Sequence, residues 1–175
     1  MPHEIVLSVK QVNRFALIFI FAIIVLLYLP FSLFWGWHYT LNGLKSQITD
    51  LLFWILPIIL LHEGLHGLIW AIASRDFRSI RFGFNREMLA PYTHCKIPLS
   101  KTSYILGGLA PLIILGIVPC IITFISGKPY WFVLALFCIF TAGGDIYSCY
   151  YLIKVPGNFK IQDHPEKLGF IIMEN

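Results

Sequence analysis

Charge is what this chain has least of. Asp, Glu, Lys and Arg supply 13% of its 175 residues, against about 25% in an ordinary soluble domain, while 58% are hydrophobic and the mean hydropathy is +0.76. Too few polar side chains remain to clothe a buried core in water, which excludes a soluble domain of this size. The four cysteines, Cys95, Cys120, Cys138 and Cys149, show no C-x-x-C spacing, and three lie in apolar runs, so neither a disulfide framework nor a thiolate metal site is indicated. No N-x-S/T sequon marks a glycosylated exterior, and internal repeats and low-complexity tracts are absent. The net charge of +4 could suggest an acidic partner, but the basic residues are placed as topology signals, which argues against nucleic acid.

What the chain has in quantity is long apolar runs. Residues 15–34 carry no charge over twenty positions and end in Trp35, Trp37 and Tyr39, an aromatic belt at a membrane surface. A cleaved leader would have a shorter core and small residues at its end, so this run reads as a retained span. Residues 48–73, 102–125 and 130–153 read as three further spans, with 36–47 a short loop and 156–175 a polar cytoplasmic tail holding one short ordered segment. Between spans two and three, Ile80, Phe82 and Phe84 alternate with Arg81, Gly83 and Asn85, the period of a strand, and Tyr92–Leu99 is placed to return as its partner. The expectation is an all-α polytopic membrane protein, one domain over 1–175, with about four transmembrane helices and a small β-hairpin in the cytoplasmic loop between helices 2 and 3. Eleven of the thirteen Lys and Arg residues fall in the N-terminal flank, that loop and residues 154–175, which places both termini in the cytoplasm.

Inside the second run stands His62-Glu63-Gly64-Leu65-His66. Positions i and i+4 of a helix share a face with Cβ atoms about 5–6 Å apart, close enough for His62 and His66 to hold one zinc ion. Glu63 is one step round the helix and points beside that ion, where it can deprotonate a water, the logic of H-E-x-x-H in zinc peptidases. The competing account is a pair of buried histidines bonded to carbonyls of neighbouring helices, with Glu63 protonated. Gly64 and Gly67 each cost about 1 kcal/mol relative to Ala in a helix interior, which predicts close approach of another backbone to this face. Pro57, five residues earlier, either kinks the helix above the site or is merely tolerated. Gly107, Gly108, Pro111 and Gly116 in the third run read as helix packing.

Asp145 is the only charge in the fourth run. Counted from the outer ends of their spans, His62 and Asp145 both lie about 21–23 Å deep at a rise of ~1.5 Å per residue. The carboxylate therefore meets the histidines in depth, and an unpaired one there costs at least about 2.5–3.5 kcal/mol. Asp145 is the expected third zinc ligand. Glu87 competes, since it follows His66 by 21 positions, but it sits after Arg75, Arg78, Arg81 and Arg86 in a segment expected in water. His94 reads as a surface side chain of the hairpin.

Taken together, His62-Glu63-Gly64-Leu65-His66, Gly143-Gly144-Asp145, the Leu106–Pro111 stretch and Asp163-His164-Pro165 resemble the site-2 protease type of intramembrane zinc metalloprotease, and most closely the small bacterial family described as putative zincin peptidases. The order Gly-Gly-Asp differs from the Leu-Asp-Gly usual in site-2 proteases. The resemblance implies zinc-dependent hydrolysis of a membrane-embedded or membrane-proximal peptide in the lipid bilayer of a bacterial cytoplasmic membrane, with His62, His66 and Asp145 as ligands and Glu63 as catalytic base. Other classes remain open at this point: a proton or metal-ion pathway built from the same four residues, or a degenerate protease that binds membrane segments. A di-iron site would need a second Glu-x-x-His and two further carboxylates, which are missing.

Overall fold

The computed structural model describes residues 3–86, 90–164 and 169–173. Among them the chain is mostly helical, as expected, and its strands form two small antiparallel sheets where the expectation had a single hairpin. Three helices are long and apolar enough to cross a membrane: α1 (Lys10–Trp35), α2 (Trp37–Ser74) and α3 (Lys101–Ser126). A bent pair, α4 (Pro129–Thr141) and α5 (Gly143–Lys154), turns by 48° at the break and makes up to four spans if counted as one.

Local chemistry accounts for several features of these helices. In α1 and α3 a wider π-type turn, Ile24–Tyr28 and Leu112–Ile117, lies just ahead of Pro30 and Pro119. A proline has no N–H for the carbonyl one turn back, and a widened turn lets neighbouring donors reach the freed acceptors inside an apolar medium. The segment expected as a loop, 36–47, is instead helical from Trp37 onward, and a single residue, Gly36 at φ 96°, makes the reversal between α1 and α2. No proline interrupts residues 37–56, and Gly43 is absorbed by packing: a Cβ there would stand 2.4 Å from the Pro129 ring. At 38 residues α2 is about 57 Å long, well beyond a ~30 Å hydrocarbon core.

α2 ends at Arg75, which adopts the left-handed conformation, and Asp76 accepts the Arg78 N–H at 2.9 Å to start the next segment. β2 (Ile80–Asn85) then pairs with β3 (Ala90–Cys95) in register Ile80 to Cys95 through Asn85 to Ala90. The return strand thus starts two residues earlier and ends four residues earlier than the expected Tyr92–Leu99. This pair does not project away from the helices. It lies back along α2, where a Cβ at Gly67 would meet Phe82 at 2.9 Å and Ile80 at 3.0 Å.

The tail is the larger correction. β1 (His3–Val6), β4 (Leu99–Ser100), β5 (Lys160–Asp163) and β6 (Gly169–Met173) form one antiparallel sheet in the order β1-β6-β5-β4. Ile161, Phe170 and Ile172 alternate inward and join Trp70, Cys95, Leu99, Tyr104 and Leu152 in a buried cluster. Burial of one face outweighs the polar average of the tail, which is why a composition reading misses these strands.

Candidate metal centre

His62 and His66 are one turn apart on α2, both buried, with ring centroids 4.9 Å apart. Asp145 comes from the first turn of α5, just after the bend, and its carboxylate faces them. His62 Nε2 lies 3.1 Å from Asp145 Oδ2, His66 Nε2 lies 3.5 Å from Oδ1, and the two Nε2 atoms are 3.2 Å apart. Zinc bonded at about 2.0–2.1 Å with tetrahedral angles holds its ligand atoms roughly 3.3–3.4 Å from one another. His62 meets Oδ2 and His66 meets Oδ1, so the contacts in this triangle are close to the spacing of a zinc ligand set, and these three residues could hold a metal ion.

The protons point the same way. His66 Nδ1 lies 2.8 Å from the Gly107 carbonyl, which can only accept, so in the neutral ring Nδ1 carries the hydrogen and Nε2 presents a bare lone pair. His62 Nδ1 is buried with no hydrogen-bond partner among the described residues, so the ring's polar contacts run through Nε2 toward the centre of the triangle. The bare His66 nitrogen, the His62 nitrogen and a carboxylate converge this closely with a proton or a cation between them. A borderline-soft ion with N and O ligands fits that donor set.

Glu63 is half-buried beside the triangle, and Thr93 of β3 holds it: the Thr93 hydroxyl lies 2.9 Å from Glu63 Oε2 and 2.8 Å from the Glu63 carbonyl oxygen. A cavity of about 480 Å³ opens over His62, Glu63, His66 and Asp145, walled opposite by Tyr92, Thr93 and His94 of β3 and by Asp163 and Phe170 of the tail sheet. Such a volume is within the range of ligand-binding cavities, and polar side chains line it on both sides.

Sequence reasoning missed three supports. The first is Gly107, read only as packing. Packing it does provide, since a Cβ would stand 2.1 Å from Trp70 Nε1, but its carbonyl also fixes the His66 tautomer. The second is Thr93, which no local signal distinguishes from any strand threonine. The third is Asp163, which the sequence singled out only within Asp163-His164-Pro165 and without a role; it accepts the Cys95 N–H at 2.6 Å and the Tyr104 hydroxyl, and its carboxyl is pushed above its usual range chiefly by burial. His94, expected on the surface, is partly buried with Nδ1 3.8 Å from Asp163 Oδ2. The expected close approach at Gly64 is also corrected, because among the described residues nothing lies within 4 Å of a Cβ there, and at Gly67 the approach is made by β2 side chains. Glu87 lies outside the described residues.

A family model described as "Putative zincin peptidase" matches residues 53–159, a stretch that holds both histidines, Glu63 and Asp145. No curated protein and no solved structure matches the chain.

Proposed function

Because this chain belongs to the putative zincin peptidase family, we propose that it is an intramembrane zinc metalloprotease in which His62, His66 and Asp145 hold zinc and Glu63 is the catalytic base. The observation that carries the reading is the convergence of two imidazole nitrogens and a carboxylate at 3.1–3.5 Å beside a glutamate already held by a threonine hydroxyl. When bound, zinc would polarise the scissile carbonyl and lower the pKa of a water molecule from 15.7 towards about 7. Glu63 takes the proton of that water at a carboxylate oxygen and delivers it to the leaving amine nitrogen as the C–N bond breaks and a C–O bond forms. The Gly107 carbonyl holds the His66 ring in the tautomer that presents Nε2, and the Thr93 hydroxyl keeps the Glu63 carboxylate beside the centre.

The site lies within helices apolar enough to span a membrane, which supports a substrate that is itself membrane-embedded or membrane-proximal. Among the described residues the β2–β3 sheet has two strands, and an extended segment can add to such an edge across the cavity. The distribution of Lys and Arg supports an orientation with both termini in the cytoplasm of a bacterial cell.

The test is hydrolysis of single-span peptides by purified protein, alongside its zinc content. Glu63→Gln is expected to abolish cleavage with zinc retained, and Asp145→Asn to lose zinc as well. Full cleavage by Glu63→Gln in an active preparation would overturn the mechanism.

A further inference from the structure

Beyond the end of the family match at residue 159, one carboxylate touches both elements that orient the metal centre. Asp163, at the end of β5, has a side chain only 13% exposed. Its Oδ2 accepts the Cys95 N–H at 2.6 Å and its Oδ1 accepts the Tyr104 hydroxyl. Cys95 is two residues along β3 from Thr93, so on a strand of period two the anchor at Cys95 sets the height of the hydroxyl that holds Glu63. Tyr104 lies one turn before Gly107 on α3, whose carbonyl takes the His66 N–H.

The same wall is continuous in its ring packing. Tyr104 stacks on Trp70 at 5.2 Å and 23°, and Trp70 stacks on His66 at 5.4 Å and 19°. Trp70 Nε1–H donates to the Tyr104 carbonyl at 3.1 Å, so the ring cannot slide without breaking that bond. The Tyr104 hydroxyl is therefore the outer end of a rigid stack whose inner end is a candidate zinc ligand.

We infer that Asp163 is a positioning residue: a single carboxylate on the C-terminal sheet locks α3 and β3 against α2 and thereby orients His66 and Glu63 at the metal centre. The inference rests on the metal-centre reading given above. Asparagine keeps an acceptor for the Cys95 N–H but turns an NH2 towards the Tyr104 hydroxyl, which must then accept instead of donate, so the charge-assisted bond from that hydroxyl is lost.

The experiment uses the purified full chain loaded with Co²⁺, whose visible absorption reports ligand geometry, together with Zn²⁺ affinity from competition with a chromogenic chelator. Asp163→Asn and, separately, Tyr104→Phe are expected to alter the cobalt spectrum and to weaken zinc binding about tenfold, the low end of the ~10–100-fold effect of groups that orient metal-binding histidines. A merely structural role would lower thermal stability and leave spectrum and affinity of the folded protein at wild-type values. That result overturns the inference while leaving the metal centre standing. A wild-type chain that takes up neither cobalt nor zinc overturns both. Tyr104→Phe removes one hydroxyl and leaves the ring stack, so it decides the matter if Asp163→Asn does not fold.

Discussion

Gly107→Ala alters no ligand, yet it is expected to weaken zinc binding substantially. A Cβ at this position would stand 2.1 Å from Trp70 Nε1 and 2.2 Å from its Cδ1. Ordinary contact begins near 3.4 Å, so α3 must withdraw from α2 by roughly 1.3 Å. The indole has little freedom to yield, since it is buried, sandwiched between His66 and Tyr104, and committed through Nε1 to the Tyr104 carbonyl. A withdrawal of that size stretches the 2.8 Å contact between His66 Nδ1 and the Gly107 carbonyl to about 4 Å, beyond hydrogen bonding. An orphaned buried donor costs about 1–3 kcal/mol, and overpacking a helix contact costs a further ~1–3 kcal/mol in stability. The part that reaches the metal is a loss of the His66 orienting group, about 10–100-fold in zinc affinity. That factor corresponds to roughly 1.4–2.7 kcal/mol. Chelator competition on purified protein measures it. Gly64→Ala is the internal control, because among the described residues nothing lies within 4 Å of a Cβ there and the substitution gains up to about 1 kcal/mol of helix propensity. Wild-type affinity in Gly107→Ala, or an equal loss in Gly64→Ala, would refute the reasoning.

Thr93→Val keeps the shape of the strand residue and removes the hydroxyl that holds Glu63, so turnover of a cleaved peptide is expected to fall about tenfold with zinc content unchanged. Zinc loss in that variant would show that Thr93 supports the ligands instead. Zinc at a hundredfold excess over its dissociation constant is expected to stabilise the wild-type protein by about 2.7 kcal/mol, read as a rise in Tm that chelation reverses, and to do nothing for Asp145→Asn. An equal rise in both would remove Asp145 from the ligand set.

Much of the site is legible in the chain itself, for a reason that is local. The spacing of His62 and His66 places them on one face of any helix that contains them, and an apolar run makes a helix the only economical conformation for its backbone. Asp145 is legible because charge is so scarce: with one carboxylate in residues 130–153, depth alone pairs it with the histidines, and the structure brings them to 3.1 Å. The alternation at Ile80–Phe84 likewise announces a strand, because the side-chain period belongs to the strand and not to its partner.

What tertiary structure decided depends on groups distant in sequence. Residues 37–47 read as a loop by polarity but continue α2, because Gly43 finds Pro129 and no proline stops the ladder. Strands β5 and β6 are short and flanked by polar residues, and they become strands only where the N-terminal β1 and the buried Trp70–Tyr104 cluster give them pairing partners and a face to cover. Thr93 carries no pattern of its own, and the motifs that hold Gly107 and Asp163 do not say what either residue touches. A hydroxyl, a carbonyl and a carboxylate become supports of a candidate metal centre when non-local packing sets them within 3 Å of Glu63, His66 and the Cys95 N–H, and that proximity is a property of the assembled helices and sheets, which no spacing along the chain encodes.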